Sequence, residues 1–199
     1  MTDLWEIENA LHEEGYEVIC GVDEAGRGPL AGPVCAAAVI LPRGLVIPGL
    51  NDSKKLTEKR REELYGVIAE KALAFAWAFA DVREIEELNI LNATYLAMNR
   101  AIEGLDPAPE LAVIDGNRSA GINIENRTVV KGDGRCASIA AASIIAKVTR
   151  DRYMCELDLK YPQYHFCKHK GYGTAEHYAA LRRFGPCPQH RPSFLRKMH

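Results

Sequence analysis

Long apolar runs are absent from this chain. Stretches such as Val34 to Leu41 and Leu73 to Ala80 fall far short of the roughly 18 residues a membrane helix needs, so no membrane span is expected. The N-terminus opens with acids rather than with Lys or Arg before an apolar stretch, which argues against a secretory signal. None of the six cysteines forms a Cys-x-x-Cys pair, which removes the zinc-ribbon and thioredoxin patterns. There is no G-x-S-x-G, and no His has a convincing nucleophile partner. Internal repeats and low-complexity stretches are also missing, which excludes solenoids and disordered tracts. What remains is ordinary for a globular protein: 199 residues, 47% hydrophobic and 26% charged. That length suits one domain, able to bury roughly 70% of the surface its unfolded form exposes.

Charge is unevenly placed. The formal net charge of −2 argues, taken alone, against a nucleic-acid partner. Yet residues 1 to 24 hold eight acids and no Lys or Arg, whereas residues 160 to 199 hold eight bases against the single acid Glu176. Such a basic end is a candidate phosphate-facing surface, with a solvated tail as the plainer alternative. Cys20, Cys35 and Cys136 sit among apolar or small residues and read as small core residues. His165, Cys167 and His169, and Cys187 near His190, fit no strong zinc template, and Cys155 and Cys167 suggest no role. Reduced cysteines and no export signal point to the cytoplasm.

Hydrophobic spacing predicts a first helix over residues 3–14, ended by Gly15, then a strand over 17–22 ending at Asp23. A Gly-rich turn, Gly26 to Pro33, leads into a fully buried strand over 34–41. Thr57 reads as the N-cap of a helix to about Lys71. A buried strand over 72–82 and a helix over 84–103 follow. Further strands are expected at 111–114, ending in Asp115, and at 128–130. Helices are expected at 138–159 and 174–184, and residues 185–199, with three prolines, should be loosely held. The order implies one mixed α/β sheet with helices packed against it.

Three segments carry candidate chemistry. In Gly21 to Pro33, two acids end a strand and Arg27 follows between Gly26 and Gly28, whose freedom lets amides face a ligand oxygen. The glycine spacing, and the strand after it, do not match a dinucleotide fingerprint. Val113-Ile114-Asp115-Gly116 is a second strand ending in an acid. If the two strands are parallel neighbours, Asp23, Glu24 and Asp115 converge. Asp151 lies four residues after Lys147 on an apolar helix; the two could pair on its surface, or Asp151 could aim into a site. Converging carboxylates repel one another, and a hard divalent cation such as Mg²⁺ or Mn²⁺ relieves that. Two such ions suit phosphodiester hydrolysis.

These segments resemble the bacterial type 2 ribonuclease H family, ribonuclease HII. The resemblance rests on Gly21 to Pro33, Asp52-Ser53-Lys54-Lys55-Leu56, Val113 to Gly116 and Lys131-Gly132-Asp133. Ser138 to Asp151, His169 to Thr174 and His190-Arg191-Pro192-Ser193-Phe194 complete it, so nearly the whole chain is covered in order. It implies a ribonuclease H-like mixed sheet flanked by helices, with a small helical C-terminal part in which residues from about 160 to 199 help bind substrate. It implies that Asp23, Glu24, Asp115 and Asp151 are the catalytic, metal-binding set for Mn²⁺ or Mg²⁺, with two ions during catalysis. The implied reaction cuts the RNA strand of RNA–DNA hybrids, and cuts 5′ to single ribonucleotides in duplex DNA, leaving 5′-phosphate and 3′-hydroxyl ends. Gly26, Arg27 and Gly28 would read the 2′-hydroxyl, and Tyr172 would stack on the next sugar. Lys54, Ser143, Lys147 and Lys131 are candidate phosphate contacts, and Asp133 is a further acid left outside the primary set. Nothing calls for more than a monomer, and no replication-clamp extension is evident. A type 3 ribonuclease H is disfavoured because only 22 residues precede Asp23. A non-catalytic hybrid-binding module and a small-molecule phosphate binder are the rivals from other classes. Unpaired acids disfavour the first, and the absence of a helix after the Gly turn disfavours the second.

Overall fold

The computed structural model describes residues 4–196. A five-stranded mixed sheet has the order β3-β2-β1-β4-β5. β1 (Ile19–Ala25), β2 (Val34–Ile40) and β3 (Ala74–Ala80) form an antiparallel meander. β4 (Leu111–Asp115) pairs parallel with β1, and β5 (Asn126–Val129) parallel with β4. The helices are α1 (Glu6–Glu13), α2 (Glu58–Lys71), α3 (Val82–Leu88), α4 (Ile90–Glu103) and α5 (Ala137–Lys160). Three shorter ones follow: α6 (Phe166–His169), α7 (Ala175–Phe184) and α8 (Pro192–Leu195).

Alternation along β2 explains why both faces are apolar. Cys35, Ala37 and Val39 pack against α2 and α5, while Val34, Ala36, Ala38 and Ile40 pack against α4. The small residues of α5 bring it close to the sheet. Gly21 of β1 is in contact with it, and a Cβ there would lie 2.1 Å from the Ser138 carbonyl carbon. Residues that share a face with Gly21, Asp23 among them, therefore look toward the α5 side, and Glu24 looks toward α4.

The expected elements are present, with shifted ends and two larger differences. Asp3, expected to open α1, lies outside the described residues; Gly15 ends the helix with φ 105°. Thr57 Oγ1 does cap α2, accepting from the Arg60 amide. The expected helix over 84–103 is two helices. Asp81 and Glu84 form a reciprocal capping box that starts α3 early. Asn89 then turns left-handed at φ 68° and caps α4 with its own side chain. The second difference is the C-terminal segment, which is not loosely held within the described residues. His190 and Arg191 are buried, and the segment bridges to Ala31 of the loop between β1 and β2.

Cysteine chemistry also differs from expectation. Cys155 and Cys167 are joined in a disulfide, so the cysteines are not all reduced. The bond ties α6 to the second half of α5 and removes one of the two supports for a cytoplasmic location. Cys20, Cys35 and Cys136 are buried core residues as expected. No helix among the described residues is long and apolar enough to cross a membrane.

Candidate active site

The parallel pairing of β1 with β4 sets Val22 beside Ile114, so Asp23 and Asp115 leave the sheet side by side. That pairing was the condition on which their convergence depended. A third acid joins them from the loop before α5. Lys131 adopts the left-handed conformation, φ 56°, and turns the chain into a short 3-10 segment over Gly132–Gly134. The Gly132 amide donates to Asp115 Oδ1 at 2.7 Å. A Cβ at Gly132 would stand 2.6 Å from Ile139 Cδ1 and 3.2 Å from Val129 Cβ, so glycine spares the Ile139 side chain a shift where this loop packs. Carboxylate oxygens of Asp23, Asp115 and Asp133 then lie within 4.8 Å of one another.

Protein groups only partly neutralise this cluster. Asp23 is 3% exposed and accepts the Glu24 amide at 2.7 Å. Burial first, then the charges of Glu24 and Asp115, push its carboxyl well above the usual carboxylate range. Burial also raises Asp133, with Asp115 and Asp52 adding to it and Lys54 opposing. Glu24, on the opposite face, is raised by burial while its neighbour Arg27, 3.2 Å away, pulls it back. Lys54 Nζ stands 3.6 Å from Asp133. Burial depresses that ammonium, but the surrounding charges of Asp23, Asp133, Asp52 and Asp115 outweigh it and raise its pKa.

Asp151, expected in the acidic set, is not in the three-carboxylate group. Lys147 bonds it at 2.7 Å and Arg61 lies 3.9 Å away. Of the two readings of the Lys147–Asp151 spacing, the pair is the one that forms, with Asp151 buried and Lys147 half-buried rather than on an open surface. Burial lowers the Lys147 ammonium against the pull of Asp151. Ser143 is buried too, donating to Ser53 Oγ at 2.7 Å. Asp133 is the acid that took the third place, and its sequence signal was the Lys131-Gly132-Asp133 match.

Clefts open on both sides of the acids. One, of about 450 Å³, is lined by Glu24, Arg27, Tyr95, Asp115, Asn117 and Arg118. The other, of about 460 Å³, is lined by Asp115 and Asp133 with Lys54, Lys55, Lys131 and Arg135. A roomier concavity of about 750 Å³ lies between α3 and the C-terminal segment, but its lining is mostly apolar and contains none of these acids. The Gly26–Pro33 turn and Tyr172, 45% exposed, lie together: a Cβ on Gly28 would be 3.8 Å from the Tyr172 ring.

An all-oxygen donor set with raised carboxyl groups suits a hard divalent cation and offers no nitrogen or sulfur to a softer one. Acids gathered on the central parallel strands of such a sheet define the ribonuclease H-like class of metal-dependent nucleases. Solved structures share the fold. The ribonuclease H2 of Pyrococcus horikoshii matches with a TM-score of 0.75 at 27% identity, over 92% of this chain and 97% of that one. The RNase HII of Archaeoglobus fulgidus, solved as a PCNA complex, matches at 0.70 and 25% identity over 88% of this chain and 93% of that one. A Bst-RNase HIII solved with Mn²⁺ matches at 0.66 and 22% identity, over 88% of this chain and 65% of that one, and so shares the fold alone.

The chain belongs to the ribonuclease HII family, whose model matches residues 20–197. It is 53% identical to the ribonuclease HII of Caldicellulosiruptor bescii over 98% of this chain and 95% of that one. The ribonuclease HII of Acetivibrio thermocellus is 56% identical, over 95% of this chain and 74% of that one. The protein is thus a ribonuclease H, an endonuclease of a divalent-metal-dependent family that hydrolyses RNA in RNA–DNA hybrids.

Proposed function

We propose that this enzyme cuts on the 5′ side of single ribonucleotides embedded in duplex DNA, as well as within RNA strands of hybrids, leaving 5′-phosphate and 3′-hydroxyl ends. The observation that carries the reading is the meeting of Asp23, Asp115 and Asp133 beside a glycine turn that abuts an exposed tyrosine. Asp23, Asp115 and Asp133 would hold the cation, Mg²⁺ or Mn²⁺, and Glu24, next to Asp23 on β1, would add its carboxylate charge. Bound there, the ion supplies charge neutralisation and a more acidic water for phosphodiester attack. Asp151 then serves Lys147 and Arg61 and keeps their charges in place beside α5.

The remaining roles fall to the chain's own groups. Amides of Gly26, Arg27 and Gly28 reach the 2′-hydroxyl that only a ribonucleotide has. Tyr172 packs on the sugar of the next, deoxy, nucleotide. Lys54 and Lys131 face backbone phosphate from the second cleft. The chain acts as one catalytic domain with its basic C-terminal part on the duplex, as a monomer in the cytoplasm, where its nucleic-acid substrate is found.

A gel cleavage assay tests it. The substrate is a labelled DNA duplex with one ribonucleotide, with Mg²⁺, Mn²⁺ or chelator, beside a hybrid whose labelled strand is all RNA. A metal-dependent cut 5′ to the ribonucleotide is expected. Asp23→Asn is expected to lower both rates by about 10³-fold or more, because the charge holding the cation is lost. Cutting of the all-RNA strand alone would overturn the single-ribonucleotide reading, and near-parental cutting by Asp23→Asn would overturn the site.

A further inference from the structure

Two enclosed arginines converge on the backbone of the glycine turn. Arg191 donates from Nη2 to the Gly26 and Gly32 carbonyls, both at 2.7 Å, from Nε to Gly32 at 2.9 Å and from Nη1 to Arg27 at 3.0 Å. Arg150 donates from Nε to Pro33 at 2.9 Å and from Nη2 to Ala31 at 3.1 Å. Its Nη1 goes elsewhere, to the Lys170 carbonyl at 2.9 Å, immediately before Gly171 and Tyr172. The two turns also touch directly, the Leu30 amide donating to the Gly171 carbonyl at 2.8 Å. Arg150 is 1% exposed and Arg191 0%, and among the described residues neither has a carboxylate in ion-pair contact.

A guanidinium buried without a carboxylate is costly, so a fold keeps one only where its donors are fully used. Here they are used on carbonyls of two turns. Among the described residues the first turn has besides them only a single β-bridge, Ala31 to His190, flanked by the Gly32–Gln189 and Arg191–Leu30 backbone bonds, and the direct bond to Gly171. A planar fork can meet two or three carbonyls at once, whereas an ammonium is a single point of charge. The fit is tight: a Cβ on Gly26 would lie 2.0 Å from Arg150 Nε, and one on Gly171 would lie 2.6 Å from the Ala31 carbonyl oxygen.

We infer that Arg150 and Arg191 are positioning residues for substrate selection. Arg191 sets the shape of the turn that meets the ribonucleotide, and Arg150 sets the spacing between that turn and Tyr172. The inference rests on the proposed reading in which those two elements recognise successive sugars. Selection of a ribonucleotide–deoxyribonucleotide junction then depends on a distance that Arg150 spans, and neither arginine touches substrate.

The test compares the parent, Arg150→Lys and Arg191→Lys on the single-ribonucleotide duplex and the all-RNA hybrid, with near-ultraviolet circular dichroism to confirm folding. Arg191→Lys is expected to raise KM for both substrates together by about tenfold, with kcat within about twofold, because binding geometry rather than chemistry is lost. Arg150→Lys is expected to lower the ratio of kcat/KM for the junction over the hybrid by about tenfold. An unchanged KM in folded Arg191→Lys together with a parental ratio in folded Arg150→Lys would overturn the inference. A parent that shows no junction preference would instead overturn the underlying reading. In that case, or if the variants do not fold, amide exchange in the parent decides for the brace. Protection of the Leu30 and Gly32 amides, which donate to the Gly171 and Gln189 carbonyls, comparable to β2 is expected, and exchange at open-loop rates would overturn it.

Discussion

At the carboxyl edge of β1 and β4, Asp23 and Asp133 are buried among more negative charge than the protein itself neutralises. Around the loop between β1 and β2, Arg150 and Arg191 are buried with their donors met by backbone carbonyls. The first region is left electrostatically incomplete, and the second is complete. Incompleteness is what attracts a cation and, through it, a phosphodiester. Completeness is what keeps a ligand-free loop in one shape. Removing a charge should therefore have opposite effects on stability in the two places.

The largest effect is expected on the complete side. Arg191→Ala leaves the Gly26 and Gly32 carbonyls buried without their donor, and the Arg27 carbonyl partly so, and should cost about 3–5 kcal/mol in denaturant unfolding. A loss under 1 kcal/mol would break the comparison. Next comes the disulfide, which ties α6, just before the Lys170–Tyr172 turn, to α5 across 12 residues. Closing a loop of that length stabilises by about 3 kcal/mol on the chain-entropy account, so unfolding with and without reductant should differ by about that much. Equal midpoints would show that the link contributes nothing.

A third effect comes from the histidines behind the same segment. His177 Nε2 and His190 Nε2 lie 3.0 Å apart, so at most one proton serves the pair. Burial, and then the His177 charge, push His190 down to about 4. A histidine with a depressed folded pKa stabilises above its ordinary value of about 6.5, and that contribution is lost as pH falls toward 4. His190→Gln should remove about 2 kcal/mol of acid sensitivity between those pH values, read as a flatter stability profile. An unchanged profile would remove His190 from the acid response.

The smallest effect has the opposite sign. With its folded pKa raised, Asp23 favours the fold only while protonated, below its ordinary value near 3.8, and that contribution is lost as pH rises through the raised value. Asp23→Asn in chelator at neutral pH should therefore stabilise by about 1–2 kcal/mol, or about 2–8 °C in Tm. The gain should shrink with added Mg²⁺ or Mn²⁺ and on acidification below pH 4. A destabilised Asp23→Asn would show that the acid edge is not under repulsion.

Much of this was legible in the chain. Val34 to Ile40 could only be a two-sided buried strand, and Thr57 announced α2 by its capping chemistry. The run of small residues in α5 foretold a helix pressed on the sheet, and Asp23 and Asp115 stood out because each ended an apolar strand. The break at Asn89 was hidden because both halves share one helical period; only the left-handed turn separates them. Asp151 drew attention because it sits on an apolar helix, yet helical spacing says nothing about Arg61, which approaches from α2. Asp133 and the two arginines were present in matched segments, but their roles depend on groups 18 to 165 residues away in the chain.

The sequence by itself determined which stretches are apolar on both faces, where a Gly-rich turn falls, and that acids end two strands. Those follow from local propensity and periodicity, which act over a few residues. Tertiary structure alone decided which carboxylates meet, which one pairs with Lys147 and Arg61, and that the C-terminal segment returns to the glycine turn through Arg191. Charge and hydrogen-bond partners are selected by three-dimensional proximity under burial, and a linear pattern carries no record of that distance.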